Sequence, residues 1–160
     1  MKSTKAALGI TGSLSTLLSV FLSVDSFSVQ AQATIPNCTA AVNQMQTSLI
    51  EGRQLSIPNQ FTRVSSDVYV DYPAGRSVLY TLFISGAASS SIMNSPQLLI
   101  SVTESFLSEC DTAGAVSIVD LDSIAGVETI GLVDGQPTFF ECTEGIQATR
   151  IPWGYHDCSP

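Results

Sequence analysis

Residues 95–121 read SPQLLISVTESFLSECDTAGAVSIVDL, and this stretch decides the fold class. Ser95 suits a helix N-cap and Pro96 the first helical position, where its missing N–H costs nothing. Leu99, Val102, Phe106 and Cys110 then recur on one helical stripe. Asp111 to Gly114 break that period, and Ala115 to Leu121 carry the β-branched density of a short buried strand. A long amphipathic helix followed at once by a strand points to a mixed fold.

Working upstream, Cys38, Val42, Met45 and Leu49 form a second helical stripe, predicting a helix over 38–51. Asn37 stands at its N-cap position and Gly52 at its stop. Leu55 to Phe61, with Pro58-Asn59, reads as a loop. Val64 to Tyr72 alternates, with Val68, Val70 and Tyr72 on one face and Asp67, Tyr69 and Asp71 on the other. Pro73-Ala74-Gly75 is turn material. Arg76 to Ser85 resumes as a strand apolar on both faces, completing a hairpin. Gly86 to Ser91 is a loop of small residues.

Downstream, Val127 to Val133 and Thr138 to Cys142 are strands joined through Asp134-Gly135, a strong hairpin turn signal. Residues 143–160 read as an irregular tail. The order helix, two strands, helix, three strands predicts an α+β domain. Its antiparallel sheet has about five strands, with two helices packed on one face and disulfides stapling the whole.

The N-terminus has a different character. Met1-Lys2-Ser3-Thr4-Lys5 precedes an uncharged run from Ala6 to Val24, and Ala31-Gln32-Ala33 closes the segment. A basic start, an apolar run and small residues at the last and third-last positions make a secretory signal peptide over residues 1–33. Residues 34–160 are then a single exported α+β domain, and the place is periplasmic or extracellular. No Arg-Arg pair precedes the run, so a twin-arginine route is not indicated. Ile35-Pro36-Asn37 before Cys38 is unlike a lipoprotein signal. An uncleaved anchor is the alternative, although the glycines and hydroxylated residues weaken that run as a span.

The chain carries six basic and 14 acidic side chains, a net charge of −8. Without residues 1–33 it keeps four arginines, no lysine and 13 acids, a net charge of −9 over 127 residues. Schiff-base chemistry and a phosphate-cradling lysine are thereby excluded from the exported part. Nucleic acid is not an expected partner, because phosphate binding runs on clustered Lys and Arg. No stable membrane span is expected after cleavage. A protein or a glycan is the expected kind of partner, and no cofactor is expected.

His156 is the only histidine, so no site can rest on two imidazoles. There is no Gly-x-Ser-x-Gly, and His156 lies in the tail, where a base is hard to hold rigid. Asp67 and Asp71 are the acidic pair on which a hydrolase could be built. Asp120-Leu121-Asp122-Ser123 faintly resembles a calcium loop without its later ligands. Adjacent His156, Asp157 and Cys158 are poorly spaced for a metal. Trp153, Tyr155, Tyr69 and Tyr72 could form a binding platform, or Trp153 could cover an apolar sheet edge and seat the tail.

Cys38, Cys110, Cys142 and Cys158 are an even set in an exported chain, and two disulfides are expected. Four cysteines allow three connectivities. The stretch from Cys110 through Val116-Ser117-Ile118-Val119 and Gly131-Leu132-Val133-Asp134-Gly135-Gln136 to Phe140-Glu141-Cys142 resembles a block of small exported cyanobacterial proteins. That group has no assigned activity. The chain departs from it where Ile124-Ala125-Gly126 replaces an expected tryptophan. The resemblance implies export and a Cys110–Cys142 bridge, which leaves Cys38 with Cys158. The geometric rival pairs Cys38 with Cys110 across the helices and Cys142 with Cys158 as a local clip.

Composition thus favours an exported, disulfide-stabilised, non-enzymatic binding or interaction module. A secreted hydrolase using Asp67 and Asp71 and a structural envelope component are the alternatives. The mature chain is expected to start at Thr34. Intact-mass measurement of the exported protein checks this, and a mass that retains residues 1–33 contradicts cleavage.

Overall fold

A computed structural model describes residues 38–124, 126–143 and 149–157; the segment 1–33, Asn37 and Cys158 lie outside these. In chain order the elements are helix α1 (Thr39–Ile50), strand β1 (Ser56–Val64), a 3-10 turn (Ser65–Asp67) and β2 (Tyr69–Val70). Next come β3 (Val78–Ser85), α2 (Ser89–Met93), α3 (Pro96–Glu109), β4 (Ala113–Asp120) and β5 (Val127–Val133). Four short strands finish the chain: β6 (Gln136–Phe139), β7 (Glu141–Thr143), β8 (Ile151–Pro152) and β9 (Tyr155–Asp157). Among the described residues, no helix is long and apolar enough to cross a membrane.

The α+β class and the five-stranded sheet stand, with strand order β1-β3-β4-β5-β6. The sheet is mixed, not wholly antiparallel: β3 and β4 are parallel neighbours, and the other three pairings are antiparallel. The reason lies between them. Two parallel strands side by side need a crossover, and α2 and α3 supply it.

Both predicted helical stripes are buried: Cys38, Val42, Met45 and Leu49 on the α1 side, and Leu99, Val102, Phe106 and Cys110 on the α3 side. They cover one sheet face through Val78, Tyr80, Leu82, Ile84, Val116, Ile118 and Ile130. Cys38 caps α1, Cys110 caps α3, and the two sulfurs are bonded across 72 residues of sequence. Closing a loop of that size is worth about 4 kcal/mol in the chain-entropy account. Arg76 reinforces the same corner, its Nη1 donating to the carbonyls of Leu107 (2.8 Å), Ala113 (3.0 Å) and Cys110 (3.2 Å). A cation there answers the unpaired carbonyls of a helix C-terminus.

The bridge corrects the pairing implied by the resemblance. Cys110 is fully buried in the helical layer, whereas Cys142 is exposed on β7, paired with β9. With Cys38 taken, neither Cys110–Cys142 nor Cys38–Cys158 forms. Cys142 is disulfide-bonded as well.

Three strand expectations also shift. Leu55 to Phe61 is mostly strand, since β1 is an edge where Pro58 removes no ladder bond the sheet needs, and a register irregularity absorbs it between Ser56 and Asn59. Val64 to Tyr72 is not one strand. The chain leaves the sheet at the 3-10 turn, and only Tyr69–Val70 stays extended. Thr138 to Cys142 breaks at Phe140, which is buried. Helix α2 begins within the small-residue loop and runs past it to Met93, and the tail contains β8 and β9.

The second sheet face has its own cover. Leu79 and Ala115 pack there under Tyr69 and Phe140, flanked by Val68, Val133, Ile151 and Trp153. Farther along, Thr81, Ser117 and Thr129 stand in register as a buried row of hydroxyls, with Ser117 Oγ and Thr129 Oγ1 2.7 Å apart.

Candidate functional site

The site grows out of that second cover. Trp153 meets Phe140, Tyr69 and Tyr72 at ring-centroid distances of 5.0, 5.2 and 6.4 Å, the first two edge-to-face. Edge-to-face packing sets the positive rim of one ring against the negative face of another. Glycines make the recess: a Cβ on Gly131 would stand 2.6 Å from Phe140 Cε1, and one on Gly114 3.0 Å from Trp153 Cη2. The indole N–H donates to the Leu132 carbonyl (2.7 Å), and the Trp153 backbone N–H to the Val70 carbonyl (3.1 Å). Beside them β8 runs parallel to β2, and β9 parallel to β7. Trp153 covers a sheet face rather than an edge, and it does seat the tail.

Against this cluster lies a cleft of about 430 Å³. One side is Asp71 and Pro73, another is Pro152 and Trp153, and the third is the β5–β6 hairpin from Leu132 to Gly135. Both aspartates are exposed, and both hold a left-handed backbone, φ 60° at Asp71 and 52° at Asp134. At Asp134 the cause is the two-residue turn with Gly135 (φ 78°), which needs positive φ at both central positions. Aspartate tolerates this region better than most residues, because its short side chain bonds locally. No described lining residue is basic. A second hollow of about 330 Å³ beside Arg53 is lined by Gly52, Gln54, Ala87, Ala88, Ser91 and Ile92, and the Arg53 guanidinium already donates to the carbonyls of Ser48, Leu49 and Glu51 at the end of α1.

The residues singled out from sequence separate. Asp71 reaches the cleft, while Asp67, the exposed residue of the 3-10 turn, does not line it. Tyr69 lies between them in sequence but is buried, 3 % exposed, so the three do not share a solvated strand face. Tyr155 is exposed on β9, and His156 pairs in register with Cys142; neither lines the cleft. Asp120 and Asp122 hold turns: Asp120 Oδ1 accepts from the Asp122 N–H (3.0 Å), and Asp122 Oδ2 from the Gly86 N–H (2.7 Å). Among the described residues no three of His, Cys, Asp and Glu converge as a metal site. Asp134, Pro73 and Pro152 escape the sequence reading because each looks like turn material and nothing more.

Compared with known proteins, the chain matches no family model, no curated protein and no solved structure. The cleft's own chemistry is an indole and two proline rings, with two carboxylates at the rim.

Burial pushes the Tyr69 phenol up to about 12 and raises Tyr80 as well. Unfolding returns each to its ordinary value near 10, so above that pH the unfolded chain binds fewer protons than the folded one. Stability is thus unaffected below about pH 10 and falls between about 10 and 12, by roughly 2–3 kcal/mol on account of Tyr69. Denaturant melts across that window should show the loss, and Tyr69→Phe, which keeps the ring, should recover the larger part of it. An equal alkaline loss in both proteins contradicts the assignment.

Proposed function

We propose that this chain is an exported, non-enzymatic binding module that takes its ligand in the cleft between Asp71, Trp153 and the Asp134 turn. The observation that carries the proposal is the cleft's construction. An apolar wall with a few convergent polar groups is the general form of a binding site. Here the wall is fastened by ring contacts and two hydrogen bonds of Trp153, so little ordering is left to be done when a ligand enters. Both carboxylates are exposed, whereas a general acid is usually made by burying one carboxyl of a pair. That favours recognition over hydrolysis. Export rests on the N-terminal pattern and on the disulfides, which persist in oxidising compartments.

The chain has a single tryptophan, so its indole N–H is a unique reporter of the cleft. The test is a nitrogen-15 NMR titration of the full chain with neutral oligosaccharides and with short basic, neutral and acidic peptides. The expected result is that at least one probe shifts the Trp153 indole signal together with the amides of Asp71, Asp134 and Gly135. No shift with any probe, or shifts confined to the helical layer, overturns the proposal.

A further inference from the structure

Resting on that reading of the cleft, we infer that its ligand is a cation on an aliphatic stem: an alkylammonium or guanidinium group of the kind carried by a lysine or arginine side chain. Three features lead there. Asp71 and Asp134 face one cavity from different segments, and no described lining residue offsets their charge. Of the two basic residues nearest the cleft in the chain, Arg76 directs its Nη1 to the carbonyls of Leu107, Cys110 and Ala113, and Arg150 directs its Nη1 to the Ser66 carbonyl (3.4 Å). The walls between the two carboxylates are Trp153, Pro73, Pro152, Leu132 and Val133. Such walls suit a methylene stem, and an indole also attracts a cation to its ring.

The whole molecule supports the same sign. A net charge of −8 draws cations toward a concave acidic mouth and repels anions. A neutral sugar would use the indole and the acceptors but would gain nothing from the charge. An acidic ligand would meet repulsion from both aspartates. The ammonium group is recognised by the carboxylates through charge-assisted hydrogen bonds, and the stem displaces water from the proline and indole faces.

The same chemistry has two sources, a free polyamine or a basic peptide segment, and the two can be separated. Spermidine, a hexalysine peptide, its fully acetylated form and a neutral oligosaccharide are titrated into the full-length protein with its disulfides formed, reading Trp153 fluorescence and the indole resonance. Asparagine tolerates the left-handed backbone as aspartate does, and Asn-Gly is a favoured hairpin turn. The double variant Asp71→Asn with Asp134→Asn therefore removes charge while leaving the fold in place, as unchanged thermal melting would verify. Glu104→Gln with Glu109→Gln, at exposed positions of α3, makes the same change in net charge away from the cleft.

The expected result is binding of hexalysine, spermidine or both, weakened roughly tenfold by the cleft double variant and less than about twofold by the α3 pair. Raising the salt from 20 to 500 mM should weaken it by a similar factor, and the acetylated peptide should not bind. Binding of spermidine without hexalysine identifies a small polyamine site; binding of hexalysine without spermidine identifies a peptide site. Equal losses in the two double variants would overturn the inference, because the field of the whole molecule would then suffice. A salt-insensitive shift of the indole by the neutral oligosaccharide alone would also overturn it while leaving the cleft as the binding site. Silence of the indole with every probe would remove both.

Discussion

The central strands β3 and β4 are buried on both faces, and that single fact forces the rest of the architecture. A strand buried on both sides must be covered twice. Leu82, Ile84, Val116 and Ile118 turn to the helices, while Leu79 and Ala115 turn the other way and demand a second layer. The chain cannot satisfy both faces with one helical pair. It uses α1 and α3 for the first and a patch of aromatic residues for the second.

The two covers are built differently, and the cleft follows from the difference. The helical cover is locked by the Cys38–Cys110 bridge and by Arg76 at the end of α3. The aromatic cover is assembled from three distant segments, bearing Tyr69, Phe140 and Trp153. Separate segments laid on a twisted sheet do not close without seams. The seam between the β2 exit, β8 and the β5–β6 turn is the cleft, and Trp153 is at once its wall and the piece that fixes its geometry.

Sequence showed the helical half clearly and the aromatic half poorly, for physical reasons. A 3.6-residue period survives inspection, so Leu99, Val102 and Phe106 announce their face directly. The second cover has no period. Tyr69 lies in a two-residue strand, Phe140 at the break between β6 and β7, and Trp153 just past the two residues of β8, where no alternation is long enough to be read. Asp67, Tyr69 and Asp71 alternate as a strand face should, yet the 3-10 turn and the positive φ at Asp71 redirect all three. Pro58 argued for a loop because edge position is a property of the sheet, not of the segment. The bridge from Cys110 depended on the same information, namely which cysteine shares its layer. Of the cleft, Trp153 and Asp71 were visible as residues of interest. Their meeting with Asp134 was not, since it needs the tertiary arrangement.

The claim that Trp153 holds a separate second cover is tested most directly by native-state hydrogen exchange on the wild-type protein and on Trp153→Leu. Removing the indole from a partly buried site should cost enough to open its surroundings locally. The account predicts that the amides of Glu141 and Ile151, which bond to Gly154 and Val68 carbonyls, lose roughly a hundredfold in protection. Those of Val42, Leu99 and Cys110, inside the helical layer, should change by less than about threefold under the same conditions. A uniform loss across both sets, or none in either, would contradict it.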